Sequence, residues 1–235
     1  MADSCHRQMS FHGAAVVEDA RGQGVTYGAR SDNRCESLSL VDARIDYYPR
    51  FLTADAARKL FAQLLDTLRW EQPLVTLFGR EMPSPRLAAW YGNVPYTYSG
   101  LTHQPRAWPE CLASIRSAIG QTVAHEFNGV LANLYRSGQD SMGWHSDNEA
   151  ELGVNPVVAS LSLGAQRRFV LRHRIRKDVA LTAIDLEHGS LLVMHGPTQH
   201  HWQHSVPKTK RAVNARINLT FRKLHVATAR EPASR

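Results

Sequence analysis

Seven residues near the C-terminal end alternate without a break. Arg216, Asn218, Thr220 and Arg222 fall on one side of an extended chain, and Ile217, Leu219 and Phe221 on the other. A period of two demands a strand. A lone strand of this kind usually turns its polar side to water. Two guanidinium groups and two neutral side chains in one row also suit a carboxylate-bearing ligand inside a β-barrel, because arginine forks match carboxylates bidentately.

The same period fills the second half of the chain. Residues 127–135, 157–163, 168–172, 179–186, 190–194 and 201–206 read as strands separated by turn residues. On the first of these, Asn133 and Tyr135 share a face opposite Leu134 and add uncharged donors. The first half reads differently. Thr53 is placed to cap a helix running to about residue 68, with Ala57, Leu60, Leu64, Leu65 and Leu68 at helical spacing. Trp108-Pro109-Glu110 opens a second helix that Gly120 is expected to stop. Between the helices, residues 74–78 and 87–91 are expected to pair as a long hairpin across the Gly- and Pro-containing linker 79–86.

Two helices followed by many short strands imply a mainly β, α+β fold: a jelly roll with helices packed on one side. The expected organisation is a flexible arm over 1–37, then an extension over 38–126 with the helices and the hairpin. A jelly-roll core over 127–225 forms one structural domain with that extension, and a disordered tail covers 226–235.

Gly143-Trp144-His145-Ser146-Asp147 carries a nitrogen and a carboxylate donor two residues apart, on one side of an extended chain. With a second histidine they form the two-His, one-carboxylate face that suits non-haem Fe(II). His173, His188, His195, His200, His201 and His204 are the candidates, and strand alternation leaves both His201 and His204 open. A zinc hydrolase could use the same three ligands but gives Arg216 and Arg222 no task. A nucleic-acid binder with a dead metal site needs a broken triad, which is absent here.

The formal net charge of +7 favours a polyanionic partner. Arg167, Arg168, Arg172, Arg174, Arg176 and Lys177 form a run without an acid, suited to phosphates. Cys5, Cys35 and Cys111 are too scattered for a disulfide framework, which fits a reducing compartment. No apolar run reaches the roughly 18 residues of a membrane span, and no secretory signal is expected.

His145-x-Asp147, His204 and Arg216-x-Asn218-x-Thr220-x-Arg222 stand in an order and spacing that resemble the AlkB family of Fe(II)- and 2-oxoglutarate-dependent dioxygenases. The tracts Tyr96-Thr97-Tyr98-Ser99-Gly100-Leu101, Asn133-Leu134-Tyr135, His188-Gly189-Ser190 and His201-Trp202-x-His204-Ser205 are similar to that family too. The resemblance runs from about residue 69 to 223 and is strongest to members that repair alkylated DNA. It implies a double-stranded β-helix with a nucleotide-recognition hairpin, and iron on His145, Asp147 and His204. It implies 2-oxoglutarate with its far carboxylate on Arg216 and Tyr135. The metal-side carboxylate then falls to Arg222, helped by Asn133, Asn218 and Thr220, with dioxygen as the second substrate. Tyr98 would stack on a flipped base with His145 on its other face, Tyr96 and Ser99 belonging to the same tract. Glu149 would read the lesion's polar edge, Phe78 would enter the duplex gap and Arg86 would touch base or backbone.

The implied reaction is oxidative demethylation of N1-methyladenine and N3-methylcytosine in DNA, single- or double-stranded, releasing formaldehyde and succinate. Such bases pair poorly, so flipping them out costs little, and their positive charge complements Glu149. RNA or a protein is the alternative substrate. The expected form is a monomer, cytoplasmic in a bacterium and nuclear in a eukaryote.

Overall fold

The alternating tract does form a strand, but both of its sides are buried, because it lies in the middle of a sheet covered on each face. A computed structural model describes residues 15–18, 24–27, 34–77, 79–98 and 101–225. In chain order its first half holds β1 (Ala15–Glu18), β2 (Gly24–Tyr27), β3 (Glu36–Leu38), β4 (Arg44–Tyr48) and α1 (Ala54–Thr67). Next come β5 (Leu74–Leu77), β6 (Arg80–Pro83), β7 (Leu87–Gly92), β8 (Tyr96–Tyr98), β9 (Leu101–His103) and α2 (Glu110–Val123). The second half holds β10 (Gly129–Tyr135), β11 (Met142–His145), β12 (Val158–Gly164), β13 (Arg167–His173) and β14 (Thr182–Leu186). It ends with β15 (Leu191–His195), α3 (Thr198–His201), β16 (Trp202–Val206) and β17 (Arg216–Arg222).

Seven strands form the larger sheet in the order β3-β4-β15-β12-β17-β10-β7, and four form the smaller one, β11-β16-β13-β14. The two sheets face each other as a jelly roll. Every pairing within them is antiparallel. Ile217, Leu219 and Phe221 join the core that α1 and α2 build on the outer face of the larger sheet. Arg216, Asn218, Thr220 and Arg222 therefore point inward, toward the smaller sheet.

Helix α1 starts where expected: Thr53 Oγ1 accepts the Ala56 N–H at 3.1 Å. Its face of Ala57, Leu60 and Leu64 is fully buried, each leucine contributing about 1.5–3 kcal/mol of apolar burial. Helix α2 runs past Gly120 to Val123 and ends on Ala124 in the left-handed conformation, φ 51°. Gly120 is needed inside the helix, since a Cβ there would lie 2.9 Å from the His125 carbonyl oxygen.

The long hairpin divides differently from its expectation. The linker itself supplies β6, which pairs with β5 through the register Leu77↔Arg80, with Gly79 at φ 73° in the turn. Strand β7 leaves for the larger sheet and pairs with β10. Its run of Leu87, Ala88, Ala89, Trp90 and Tyr91 is apolar on both sides, as a covered sheet requires. Within the stretch expected to be an arm, β1 pairs with β2, and Glu36 and Ser37 already belong to β3. Residues 1–14 and the expected tail over 226–235 lie outside the described residues.

Candidate metal and cosubstrate centre

Strands β11 and β16 bring the metal candidates together. His145 and His204 are register partners, and their ring centroids lie 4.2 Å apart. Asp147 follows β11 at once, and the donor atoms of all three residues lie within 4.8 Å of one another. His204 is further seated on Phe169, ring centroids 5.1 Å apart. His201, the other open candidate, is the last residue of α3 and turns away to Asp42 and His173.

The protonation states suit a cation. Burial would raise the Asp147 carboxyl, but the Arg222 guanidinium, with His204 and His145, holds it down at about 2. Burial, then the charge of His145, pushes His204 down to about 3, and burial lowers His145 as well. Both imidazoles are thus neutral with a lone pair to give. His145 Nδ1 lies 2.9 Å from the Gly143 carbonyl, which places its proton there and leaves Nε2 for the metal.

The group of Asp42, His173 and His201 also places three donors within 4.8 Å, but its tautomer is wrong. His173 Nδ1 accepts backbone N–H bonds from Arg176 at 2.9 Å and Ile175 at 3.3 Å. Neutral His173 must then carry its proton on Nε2, which faces Asp42 Oδ2 at 3.4 Å. It has no lone pair left for a metal.

Beside the triad lies a cavity between the two sheets, lined by Leu131, Asn133, Tyr135, Ser160, Asn218, Thr220 and Arg222 with the three metal candidates. Arg222 Nη2 donates to Asp147 Oδ1 at 2.6 Å, and its Nε has no partner among the described residues. Arg216 is only 1% exposed; Nη2 donates to Ser162 Oγ at 3.0 Å, while Nε and Nη1 have no partner among the described residues. Burial lowers its pKa. A guanidinium this deep with unused donors is costly unless an anion completes it, and a carboxylate fits the fork. Tyr135, its register partner, lies under its guanidinium at 5.1 Å. The donor set fits 2-oxoglutarate.

The neighbouring polar residues divide their tasks differently from expectation. Asn218 Nδ2 spends both hydrogens, on Ser160 Oγ at 2.8 Å and the Leu161 carbonyl at 3.1 Å, and Thr220 Oγ1 donates to Asn218 Oδ1 at 3.3 Å. Asn218 thus ties β17 to β12 and Thr220 braces Asn218 within β17, so in this arrangement the donors of both are taken. Arg86, expected against base or backbone, is buried and donates from Nε to Asn133 Oδ1 at 2.7 Å. That bond leaves the Asn133 amide nitrogen as a donor. Arg167, expected among phosphate contacts, is buried too, bonded to the carbonyls of Ser137, Asp140 and Pro207. The other five cations of that run are exposed.

Tyr96 is fully buried, stacked on Trp90 with ring centroids 4.7 Å apart, and the Arg222 guanidinium lies 5.5 Å from its ring. Glu149 Oε2 is buried with no hydrogen-bond partner among the described residues, and burial, then the charge of Asp147, raises its pKa. Tyr98 is on β8, but its side chain, like Phe78 and Ser99, lies outside the described residues. One residue escaped the sequence reading altogether. Gln199, fully buried on α3, accepts the Asp147 backbone N–H on Oε1 at 2.9 Å. A lone glutamine on a four-residue turn carries no pattern to find it by.

Residues 44–222 match the family model of the 2OG-Fe(II) oxygenase superfamily. The mouse protein named alpha-ketoglutarate-dependent dioxygenase alkB homolog 3 is 41% identical over 191 residues, covering 78% of this chain and 67% of that protein. Its human counterpart is 40% identical over the same length. Mouse DNA oxidative demethylase ALKBH2 is 39% identical over 202 residues, covering 81% of this chain and 82% of that protein. The chain thus spans about two thirds of the alkB homolog 3 proteins. The solved structure of OsALKBH1 superposes with a TM-score of 0.58 at 19% identity, covering 80% of this chain and 100% of that one, which shows a common fold.

Proposed function

Because this chain belongs to the AlkB family within the 2OG-Fe(II) oxygenase superfamily, and so is an Fe(II)- and 2-oxoglutarate-dependent dioxygenase, we propose that it demethylates N-alkylated bases in DNA. The lesions are N1-methyladenine and N3-methylcytosine. When bound, iron and 2-oxoglutarate would together turn dioxygen into an oxidant for a C–H bond, the cosubstrate leaving as succinate and carbon dioxide. His145, Asp147 and His204 hold the metal. Arg216 and Tyr135 take the far carboxylate, and Arg222, with the Asn133 amide, takes the near one while keeping Asp147 ionised. An N-methyl group hydroxylated here falls apart to formaldehyde and the restored base.

The observation that carries the choice of substrate is Glu149, two residues from Asp147, whose buried carboxylate oxygen has no partner among the described residues. An uncompensated carboxylate is costly to bury, and a cationic methylated base would offset that cost. The family resemblance gives Tyr98 and His145 as the stacking faces for that base, and Arg168, Arg174 and Lys177 give exposed charge for the phosphates. The names of the relatives, dioxygenases and DNA oxidative demethylases, support the same reading.

The test loads the protein with Fe(II) under argon, then admits air with 2-oxoglutarate and an oligonucleotide bearing one N1-methyladenine. Formaldehyde and succinate should appear together, and His145→Ala and Asp147→Ala should abolish both. A parallel RNA oligonucleotide and a peptide mixture decide the substrate: faster turnover on either would replace DNA in the proposal. For Phe78, the expected wedge predicts that Phe78→Ala slows duplex repair and spares single strands.

A further inference from the structure

Arg167 stands outside the roles described so far, yet its guanidinium lies over Tyr135, which lines the cavity beside the triad. It starts β13, on the sheet opposite Arg216, and is 3% exposed. Nη1 donates to the Ser137 carbonyl at 3.1 Å, and Nη2 to those of Asp140 and Pro207 at 2.9 and 2.8 Å. None of these acceptors is charged. The Asp140 carboxylate is already taken by Arg136, whose Nε and backbone N–H reach Oδ2 at 2.8 Å each and whose Nη2 reaches Oδ1 at 3.0 Å. The Arg167 guanidinium lies 5.6 Å from the Tyr135 ring, and that of Arg216 lies 5.1 Å from the same ring.

Two buried cations therefore share one phenol ring, and one of them, Arg216, has two donors with no partner among the described residues. Like charges this close oppose each other's burial, and a neutral ligand relieves neither. We infer that Arg167 is a positioning residue that makes this end of the cavity selective for a second carboxylate. It holds Tyr135 and adds a second positive charge beyond Arg216, so that a dicarboxylate is favoured over a 2-oxo acid with only one carboxylate. The inference rests on the reading that Arg216 and Tyr135 receive the far carboxylate.

The test is calorimetric, on the full chain loaded with Mn(II) under anaerobic conditions, so that nothing turns over. It compares 2-oxoglutarate with 2-oxobutyrate, which has the same 2-oxo acid end and lacks the far carboxylate. In Arg167→Gln, 2-oxoglutarate should weaken about tenfold and 2-oxobutyrate should stay within about twofold, the loss of one near charge. Equal weakening of both ligands would make Arg167 mere scaffold, and no change in either would also overturn the inference.

Arg167→Lys keeps the charge but loses part of the carbonyl bonding, so its melting temperature falls while its preference survives near neutral pH. A lysine buried there loses its proton below its usual pKa of about 10.4, so the preference should decline as pH rises. Tyr135, Arg136, Asp140 and Arg216 face the same spot in both proteins, so the same decline in the unsubstituted protein would overturn the inference. This variant decides the matter if Arg167→Gln does not fold. Arg216→Gln separates the two levels: unchanged 2-oxoglutarate affinity there refutes the cosubstrate assignment itself. A loss in Arg216→Gln without one in Arg167→Gln refutes only the role of Arg167.

Discussion

The backbone N–H of Asp147 donates to Gln199 Oε1 at 2.9 Å, so a residue of α3 sets where the carboxylate of the metal triad begins. Gln199 is itself fixed, its amide nitrogen lying 3.5 Å from the Met194 sulfur on β15. Partners of this kind orient a metal ligand without touching the metal. Gln199→Ala should weaken Co(II) or Fe(II) binding about tenfold, with the triad itself intact. Metal titration followed by ligand-field absorption checks this, and an unchanged affinity would show that Asp147 is held well enough by Arg222 alone.

Arg86 bonds Asn133 rather than the solvent-facing strand of a nucleic acid. Its Nη1 also approaches Ser84 Oγ at 3.4 Å and the Ser141 carbonyl at 3.5 Å. Arg86→Met should therefore raise the 2-oxoglutarate KM about fivefold and cost about 2 kcal/mol of stability, as the loss of buried charged hydrogen bonds does. Single-stranded DNA affinity, read by fluorescence anisotropy, should change by less than about twofold, a negligible free energy. The opposite outcome would return Arg86 to the nucleic acid.

These two residues also mark where the sequence stops being readable. The Arg216–Arg222 tract was legible because a two-residue period survives any tertiary context, and Thr53 because a cap is local. Arg86 and Arg167 were not, because a positive charge in a turn or a basic run looks solvent-facing until its partners are known. The partners of Arg167 are carbonyls at 137, 140 and 207, brought together only when two loops meet. The strand β6 was hidden for the opposite reason: Gly79 and Pro83 mark turns, yet Pro83 sits at a strand end, where its missing N–H costs nothing. Strand alternation alone left both His201 and His204 open; the resemblance pointed to His204, and the register of β16 against β11 sets it opposite His145.

Acid stability should depend on Asp140. Burial would raise its carboxyl, but the bonds from the Arg136 side chain and backbone hold it below the usual carboxylate range. A folded pKa below the unfolded value of about 3.9 means stability that is complete above that pH and lost as pH falls through the folded pKa. Asp140→Asn should be less stable at pH 7 by about 1 kcal/mol, a modest figure because Arg136 is half-exposed. The gap between the two proteins should close as pH falls through the folded pKa of Asp140, below which neither carries the charge. Urea titrations across that range check it, and a gap independent of pH would mean that packing, not the ion pair, is lost.

Gly120→Ala tests the end of α2 by the sign of its effect. In an open helix interior the change stabilises by about 1 kcal/mol. Here the added Cβ would stand 2.9 Å from the His125 carbonyl oxygen. That backbone cannot retreat cheaply, because the His125 N–H already bonds the Gly120 carbonyl at 3.0 Å. The variant should therefore lose about 1 kcal/mol, lowering the melting temperature by roughly 2–4 °C in a chain of this size. Ala124→Gly should act in the reverse direction, because Ala124 holds φ 51°, which glycine adopts without strain. Ile115 and Ile119 pack on the outer face of the larger sheet, away from the inward row of β17. Turnover at a temperature where both variants are folded should stay unchanged. A higher melting temperature for Gly120→Ala would mean that α2 ends differently from the closure seen at Ala124.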